Sequence, residues 1–339
     1  MRVAVHPTTE SFCQRWLVYL KDNGINHSII NAYDTGIMEE ISKYDVLLWH
    51  WYLRDPVGML NAGPIMRSIE GMGVKVFPDH ATSWHYDDKV AQKYLLESID
   101  APLIPSHVFY QREAALAWAE NALYPTVFKL KRGAGSHNVK LVRDKAGAIK
   151  IINQMFAGGI SASPHYFTDA KSRFRKINSV DDVFAKVGRF PAALKKLASH
   201  QRLVPKEKGY VLFQDFMPKN EYDTRIVVIG EKAFGIKRMN RPGDFRASGG
   251  GSLVYDHKQL NEQFVQVAFS VSKRLKFQSM AYDFLYDGVG KPVICEISFC
   301  FDHGEVYHKC EGHWTPDLVF HPGHEYMEDV ILENLLISK

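Results

Sequence analysis

Two acidic residues near the end of the chain are spaced to act together. Asp283 and Glu296 lie thirteen positions apart in apolar, β-rich runs that are separated by the turn-forming segment 287–290. A hairpin folded at that turn brings the two runs side by side, so that both carboxylates would face one spot. Hard cations such as Mg²⁺ prefer oxygen ligands, and unpaired charges inside apolar strands are costly. The spacing predicts a metal site, with the solvated face of an exposed hairpin as the alternative.

The segment 127–142 combines two strand patterns with a basic, glycine-containing turn. Gly133 and Gly135 allow backbone N–H groups to approach anionic oxygens closely, and Lys129 precedes them with a positive charge. The segment is not a P-loop, because no GK[ST] sequence opens a helix after it. It indicates a phosphate-binding loop, or alternatively a tight hairpin with basic flanks.

An apolar strand at 210–217 is followed by Glu221, Asp223 and Arg225. A backbone edge beside an apolar pocket can bind a purine, and a carboxylate a few residues later can accept ribose hydroxyl protons. Arg225 alternates with apolar residues on its strand. An inward-facing arginine requires an anion, and an ATP phosphate would satisfy it.

A second basic loop follows at 237–253, where Arg238 and Arg246 flank a stretch that ends in three glycines. Such a loop can close over a phosphate group and an acceptor substrate. The alternative is a flexible surface linker.

The elements that must position these residues follow from the hydrophobic pattern. The first eighty residues alternate strand and helix signals, which predicts a parallel, Rossmann-like sheet, although no GxGxxG follows the first strand. A helix is predicted over 82–98, and prolines at 102 and 105 mark a boundary. Further strands are expected at 106–110, 125–130, 138–142, 210–217, 224–230, 232–239 and 281–299, with helices at 112–122, 144–156, 259–275 and 327–337.

Composition places the chain among ordinary soluble proteins. Hydrophobic residues make up 46% and charged residues 24% of its 339 residues, and no apolar run is long enough to cross a membrane. The N-terminus lacks signal-peptide features, and the four cysteines have no CxxC spacing. We expect reduced thiols and a cytoplasmic location.

The net charge of +4 is unevenly distributed. Residues 171–208 hold eleven Lys/Arg against three Asp/Glu, so the rest of the chain is net acidic. This segment belongs to an inserted stretch at 157–208, predicted to be mostly helical. A solvated basic face is favoured over an anionic partner. Nucleic-acid binding is not expected, because few aromatic residues interleave the charges.

The order of these motifs resembles the ATP-grasp superfamily over about 82–300. A DK-bearing helix precedes a strand lysine with a glycine loop, an apolar hinge with acidic residues and arginine, a GDFR loop, and a D…ExS hairpin. The resemblance is strongest to the branch of the glutamate ligases, glutathione synthetases and D-alanine–D-alanine ligases. It implies an α/β (α+β) ATP-grasp fold with an N-terminal Rossmann-like domain at 1–100, a central subdomain at 101–213 and a C-terminal subdomain at 214–339.

The resemblance also implies roles for individual residues. The metal ligands would be Asp283, Glu296 and Ser298, where the family usually has Asn in place of Ser298. Glu221 or Asp223 would hold the ribose. The residues near the γ-phosphate and the acyl phosphate would be Arg225, Arg238 and Arg246. The remaining nucleotide contacts would be Lys89, Lys129, Gly133, Gly135, Ser136, Gln214, Asp215, Phe216 and Met217.

The function implied is an ATP-dependent carboxylate–amine ligase that uses one or two Mg²⁺ ions, or Mn²⁺. Its substrates would be a small carboxylate and an amine, with an amino acid or a sugar acid as options. The stretch CEGHWTPDL in the tail resembles ATP-grasp proteins linked to surface-glycan synthesis. A homodimer is one option for assembly, and no membrane partner is expected. A kinase of the same fold and a non-catalytic ATP-binding protein are the alternatives.

The tail after residue 302 is rich in histidine. His303, His308, His313, His321 and His324 lie there with Cys310 and Glu305. A zinc site is one interpretation, but the intervals match no known finger, and the lining of an acceptor cleft or packing around Trp314 is favoured.

Overall fold

The structure, a computed structural model, describes residues 1–53, 55–132, 138–161, 206–241, 252–304 and 309–337. The chain forms two compact units. The first unit comprises Met1–Tyr86, Ala91–Ile104 and Met217–Lys339, and the second comprises Asp87–Val90 and Pro105–Phe216. The division into three domains stays a prediction.

The N-terminal part of the first unit contains the predicted parallel sheet. Its elements are β1 (Val3–Val5), α1 (Cys13–Asp22), β2 (His27–Ile29), α2 (Ile37–Ile41), β3 (Val46–Leu48), α3 (Pro56–Gly71), β4 (Lys75–Phe77) and α4 (His80–Ser83). All neighbouring strands are parallel, in the order β2-β1-β3-β4. β1 and β3 are wholly buried, as expected for short apolar strands in a sheet that is covered on both faces.

The C-terminal part of the first unit is a larger, antiparallel sheet. Its elements are β9 (Tyr222–Ile229), β10 (Lys232–Met239), β11 (Leu253–Val254), α8 (Glu262–Leu275), β12 (Ser279–Tyr286), β13 (Pro292–Ser298), β14 (Gly312–Trp314), β15 (Phe320–Pro322) and α9 (Met327–Ile337). The strand order is β13-β12-β9-β10-β14-β15, and β11 pairs with β10. The strands and final helix predicted here are confirmed, whereas β11, β14 and β15 were not predicted.

Helix α8 covers one face of this sheet. Asn261 caps its start by accepting a hydrogen bond from the Gln263 N–H at 2.9 Å, and Lys276 ends it in the left-handed conformation. The buried side of α8 joins one apolar core with Ile226, Val228 and other even-numbered residues of β9 and β12. Because successive strand residues point to opposite faces, the odd-numbered residues of β9 and β12 lie on the other face.

The second unit is built on a four-stranded antiparallel sheet. Its elements are β5 (Ser106–Phe109), α6 (Arg112–Asn121), β6 (Thr126–Lys129), β7 (Val139–Val142), α7 (Lys145–Phe156) and β8 (Val211–Asp215). The strand order is β5-β8-β6-β7, and both helices pack their buried residues into one apolar core with the sheet. These elements confirm the prediction. The inserted stretch predicted at 157–208 lies mostly outside the described residues.

The single helix predicted over residues 82–98 is wrong in its first half. The chain forms α4 and then α5 (Lys89–Glu97), with a turn between them. Asp87 has a φ of +54°, which an α-helix does not allow, and the Asp79 side chain caps the separate start of α4. Lys89 is consequently the first residue of α5. Among the described residues, no helix is both long enough and apolar enough to cross a bilayer.

Candidate functional site

The first unit gathers four charged side chains on the face of the large sheet opposite α8. Arg225 on β9 lies directly across from Asp283 on β12, and Asp223 on β9 lies across from Arg238 on β10. We call Asp223, Arg225, Arg238 and Asp283 the charged cluster. Further along the same face, Val227 and Ile229 of β9 belong to an apolar core. The cluster therefore lies where one strand face changes from apolar to charged.

The charged cluster is held by close ion pairs. Arg225 donates to Asp283 through Nε at 2.7 Å and Nη2 at 2.8 Å. Arg238 donates to both carboxylate oxygens of Asp223 at 2.6 Å, and its Nη2 also lies 2.8 Å from Asp283. Two carboxylates thus face two guanidinium groups in a forked geometry that is stronger than single contacts. Arg238 links the two halves of the cluster.

Burial and ion pairing act in opposite directions on these carboxylates. Burial alone would raise the pKa of Asp283, but the charges and hydrogen bonds of Arg225 and Arg238 outweigh it and hold the pKa well below its ordinary value. For Asp223, burial outweighs the attraction of Arg238 and raises the pKa. Asp283 is therefore the carboxylate of the cluster that stays ionised most firmly.

The predicted pairing of Asp283 with Glu296 is confirmed, and it depends on a β-bulge. The turn at 287–290 is held by the Asp287 side chain, which accepts from the Val289 and Lys291 N–H groups. The regular register from this turn would place Asp283 opposite Cys295, but the register shifts between Asp283 and Phe284. Glu296 thereby comes opposite Asp283.

The residues present fit a hard divalent cation in donor type and register. Two carboxylates that face each other across adjacent strands match Mg²⁺, which takes one or two protein carboxylates and completes its shell with phosphate oxygens and water. Both oxygens of Asp283 already accept hydrogen bonds from guanidinium groups, so a cation bound there would share this carboxylate with the arginines. Ser298 is two residues beyond Glu296, and its hydroxyl donates to the Cys300 carbonyl at 2.8 Å.

The second unit contains the two lysines that were predicted to contact phosphate. Lys129 ends β6 between β7 and β8, and only 5% of it is exposed. Lys89 is also buried, and its backbone N–H donates to the Lys131 carbonyl at 3.0 Å. Gly133, Gly135 and Ser136, predicted to form the phosphate loop, lie outside the described residues.

The predicted adenine hinge spans the change from the second unit to the first, with Phe216 in one and Met217 in the other. Gln214 is buried on β8, and its side chain donates to the Ser106 hydroxyl at 3.1 Å. Asp215 ends β8 and contacts His107 at 3.1 Å.

The two residues predicted as alternatives for the ribose contact, Glu221 and Asp223, differ in their surroundings. Glu221 is exposed, and its carbonyl accepts from the Asn240 N–H at 2.8 Å. Asp223 is engaged with Arg238, so the ribose assignment between these two stays a prediction. Arg246 lies outside the described residues.

Sequence reasoning missed the pair Asp223–Arg238 and the contact of Glu207 with the backbone of Lys131. The first was within reach, because a hairpin closed between Ile229 and Lys232 necessarily places Asp223 opposite Arg238. The second was not, because Glu207 contacts the backbone of Lys131, which lies 76 residues earlier in the chain. No local pattern indicates such a contact.

The histidines of the tail pair with glutamates. His303 bonds Glu328, and His313 lies 2.8 Å from Glu325. Burial lowers the pKa of His303, but Glu328 outweighs this and raises it. In the described part of the chain, these histidines form no cluster of three metal-binding side chains. The group that does come together there is Asp256, His257 and Glu311.

The comparisons with known proteins identify the family of this chain. The family model of the RimK-like ATP-grasp domain matches residues 130–302. An uncharacterized MG012 homolog of Mycoplasma pneumoniae is 20% identical over 215 residues, which is 62% of this chain and 69% of that protein.

Two solved structures share the fold. The biotin carboxylase domain of the Hydrogenobacter thermophilus 2-oxoglutarate carboxylase, solved with ADP, its magnesium salt and bicarbonate, has a TM-score of 0.61 at 12% identity, covering 100% of this chain and 70% of that one. The D-alanine–D-alanine ligase from Bacillus anthracis has a TM-score of 0.57 at 14% identity, covering 99% and 98%. With a family model that spans half of its length, this chain belongs to the RimK-like ATP-grasp family.

Proposed function

We propose that this chain is an ATP-dependent carboxylate–amine ligase that forms an amide or peptide bond through an acyl phosphate. The observation that carries the proposal is the arrangement of Asp283 opposite Glu296, with Arg225 and Arg238 on the same sheet face. Two carboxylates and two arginines at one position provide both halves of a phosphate site, a cation site and direct positive charge. The family supports this proposal, because ATP-grasp proteins are mostly ligases.

Asp283 and Glu296 would hold a divalent cation, Mg²⁺ or Mn²⁺, whose chemistry is to neutralise negative charge on the phosphates of ATP. With two carboxylates and the Ser298 hydroxyl turned to Cys300, one ion is better supported than two.

Arg225 and Arg238 would bind the transferred phosphoryl group and the acceptor carboxylate. The forked bonds of Arg225 to Asp283 use two of its five N–H donors, which leaves donors for an anion. The ion pairs also fix both guanidinium planes before substrate arrives, so less side-chain entropy is lost on binding. Arg246 would extend this set.

The reaction needs no nucleophile from the protein. An oxygen of the substrate carboxylate attacks the γ-phosphorus, the bond to the β-phosphate oxygen breaks, and ADP leaves. The amine then attacks the carbonyl carbon of the acyl phosphate, phosphate leaves with the bonding electrons, and the amine loses a proton. Lys89 and Lys129 would bind phosphate oxygens, and residues 214–217 would bind adenine. The loops at 133–137 and 237–253 stay the predicted covers that keep water from the acyl phosphate.

A phosphate-release screen tests the proposal. The protein is incubated with Mg²⁺ and ATP over paired libraries of carboxylates, including amino acids and sugar acids, and of amines. Release that requires both a carboxylate and an amine is the expected result. E296Q should reduce the rate by about a thousandfold, equivalent to about 4 kcal/mol. E262Q, an exposed glutamate at the start of α8, is the matched control and should be unchanged. Full activity of E296Q would contradict the metal assignment.

A non-catalytic ATP-binding protein is the second candidate, and one observation favours it. Ser298 replaces the usual metal-ligating Asn, and its hydroxyl donates to the Cys300 carbonyl and accepts from the Cys300 N–H at 3.2 Å. Tight ATP binding without turnover across the whole library would support this candidate. Restoring the amide with S298N should leave that outcome unchanged if the protein is non-catalytic, and should increase turnover if it is a ligase.

A further inference from the structure

Three segments of the second unit meet around Lys131, the second residue after β6. Its carbonyl accepts from the Lys89 N–H at 3.0 Å, and its ammonium group lies 2.9 Å from the Asp88 carboxylate. Its N–H points to Glu207 and Tyr210, just before β8. Lys131, just after β6, thus ties the start of α5 to the segment just before β8.

The Glu207 carboxylate binds two successive backbone N–H groups. Its Oε2 accepts from Lys131 at 3.0 Å, and its Oε1 accepts from Arg132 at 3.1 Å. The Tyr210 hydroxyl accepts from the Lys131 N–H at 2.7 Å and donates to Glu207. We call this arrangement the backbone cradle. Consecutive N–H groups that converge on one carboxylate are the pattern by which backbone binds anions.

Glu207 is itself held firmly. Its backbone exchanges two hydrogen bonds of 2.9 Å with Ile160. Tyr210 is buried, and burial together with Glu207 raises the pKa of its phenol, so the hydroxyl stays a donor at neutral pH. The carboxylate is therefore a fixed point, and the backbone of residues 131–132 takes its orientation from it.

Glu207 is linked through Lys131 to both lysines that the proposed function assigns to phosphate binding. Lys129 is the last residue of β6, two residues before Lys131, and the Lys89 backbone N–H is hydrogen-bonded to the Lys131 carbonyl. We propose that Glu207 is a positioning residue, which orients the backbone of Lys131 and Arg132 and through it the two lysines, Lys89 and Lys129, that receive the phosphates of ATP. The inference rests on the proposed function, and Glu207 itself need not touch the nucleotide.

Amide exchange and nucleotide affinity together test the inference. In E207A without nucleotide, the amides of Lys131 and Arg132 should exchange at least about tenfold faster, because each loses a charge-assisted acceptor. The dissociation constant for a fluorescent ATP analogue should rise about tenfold. E207Q keeps one acceptor oxygen and should recover part of both losses.

D144A is the matched control. Asp144 caps α7 in the same unit by accepting from the Gly147 N–H at 2.8 Å, and β7 separates it from the cradle along the chain. D144A should loosen α7 while leaving the affinity for the ATP analogue and the exchange at 131–132 unchanged.

Three results would overturn the inference. The exchange at 131–132 could be unchanged in E207A, or the affinity could fall equally in D144A, which would mark a structural role only. An E207A variant that binds the analogue more tightly than the wild type would mean that the carboxylate blocks an anion site. If the wild type binds no nucleotide, the proposed function fails, and exchange at 131–132 alone decides whether Glu207 orders that backbone.

Discussion

The charged cluster of the first unit and the backbone cradle of the second are held in place in different ways. In the cluster, two arginines and two carboxylates on neighbouring strands balance one another through the sheet register. In the cradle, one carboxylate from a distant segment orients backbone N–H groups. The sheet register fixes the geometry of the cluster. Its stability depends on charge balance, since removing one partner leaves a buried ion without its counter-charge. The cradle is sensitive to a single side chain.

Under the proposed function, the two regions would bind phosphate in different ways. Side chains on strands can exchange partners, because a guanidinium group that holds a carboxylate can also bind a phosphate oxygen. Backbone N–H groups cannot move independently of the chain, so they must be oriented beforehand. The following predictions test this contrast between strand side chains and pre-oriented backbone.

R238M should be the most destabilising single change in the charged cluster. It leaves buried Asp223 without its guanidinium partner and removes one of two from Asp283, which costs about 3–5 kcal/mol of unfolding free energy. Urea unfolding followed by tryptophan fluorescence measures this loss of stability. Five of the six tryptophans lie in the first unit with the charged cluster, and only Trp118 lies in the second. The double variant D223N/R238M should recover part of the loss.

R67M is the exposed control for that measurement. Arg67 pairs with Glu70 on the surface of α3 at 3.1 Å, and removing such a pair should change the unfolding free energy by less than about 0.5 kcal/mol. A penalty for R238M as small as that of R67M would contradict a cluster held by buried ion pairs.

The penalty of R238M should depend on pH. In the wild type the arginines hold the pKa of Asp283 below its unfolded value, so its stabilising contribution is present above about pH 4 and is lost as the pH falls further. In R238M the loss of this guanidinium group raises the pKa values of both carboxylates relative to the wild type, although Arg225 still pairs with Asp283, so both take up protons at higher pH. Protonation removes the uncompensated charge, so the penalty should shrink as the pH falls below about 5. A penalty that is constant from pH 7 to pH 4 would exclude this electrostatic origin.

The two helix caps, one in each unit, should give smaller effects than R238M. N261A removes the cap of α8, and D144A removes the cap of α7, each at a cost of about 1 kcal/mol. Amide exchange should quicken in the first turn of the affected helix. Neither variant should alter nucleotide affinity, and a loss of affinity in N261A would show that the charged cluster depends on its supporting helix.

Much of the fold was predictable, because strand periodicity and turn residues are local signals. The parallel sheet, the hairpin at 281–299 and the final helix at 327–337 follow from them. The break between α4 and α5 did not, since Asp87 takes a positive φ that its residue type does not require. The site divides in the same way. Hairpin register places Asp283, Arg225 and Arg238, whereas the link from Glu207 to Lys131 spans 76 residues and arises only on folding.

Electron paramagnetic resonance can detect Mn²⁺ binding in the presence of a non-hydrolysable ATP analogue. It tests whether Asp283 and Glu296 form the cation site. If Asp283 and Glu296 hold the cation that neutralises the phosphates, the wild type binds Mn²⁺ only with the analogue. E296Q then weakens that binding at least about tenfold, while E262Q leaves it intact. Equal Mn²⁺ binding by E296Q and the wild type would contradict the account.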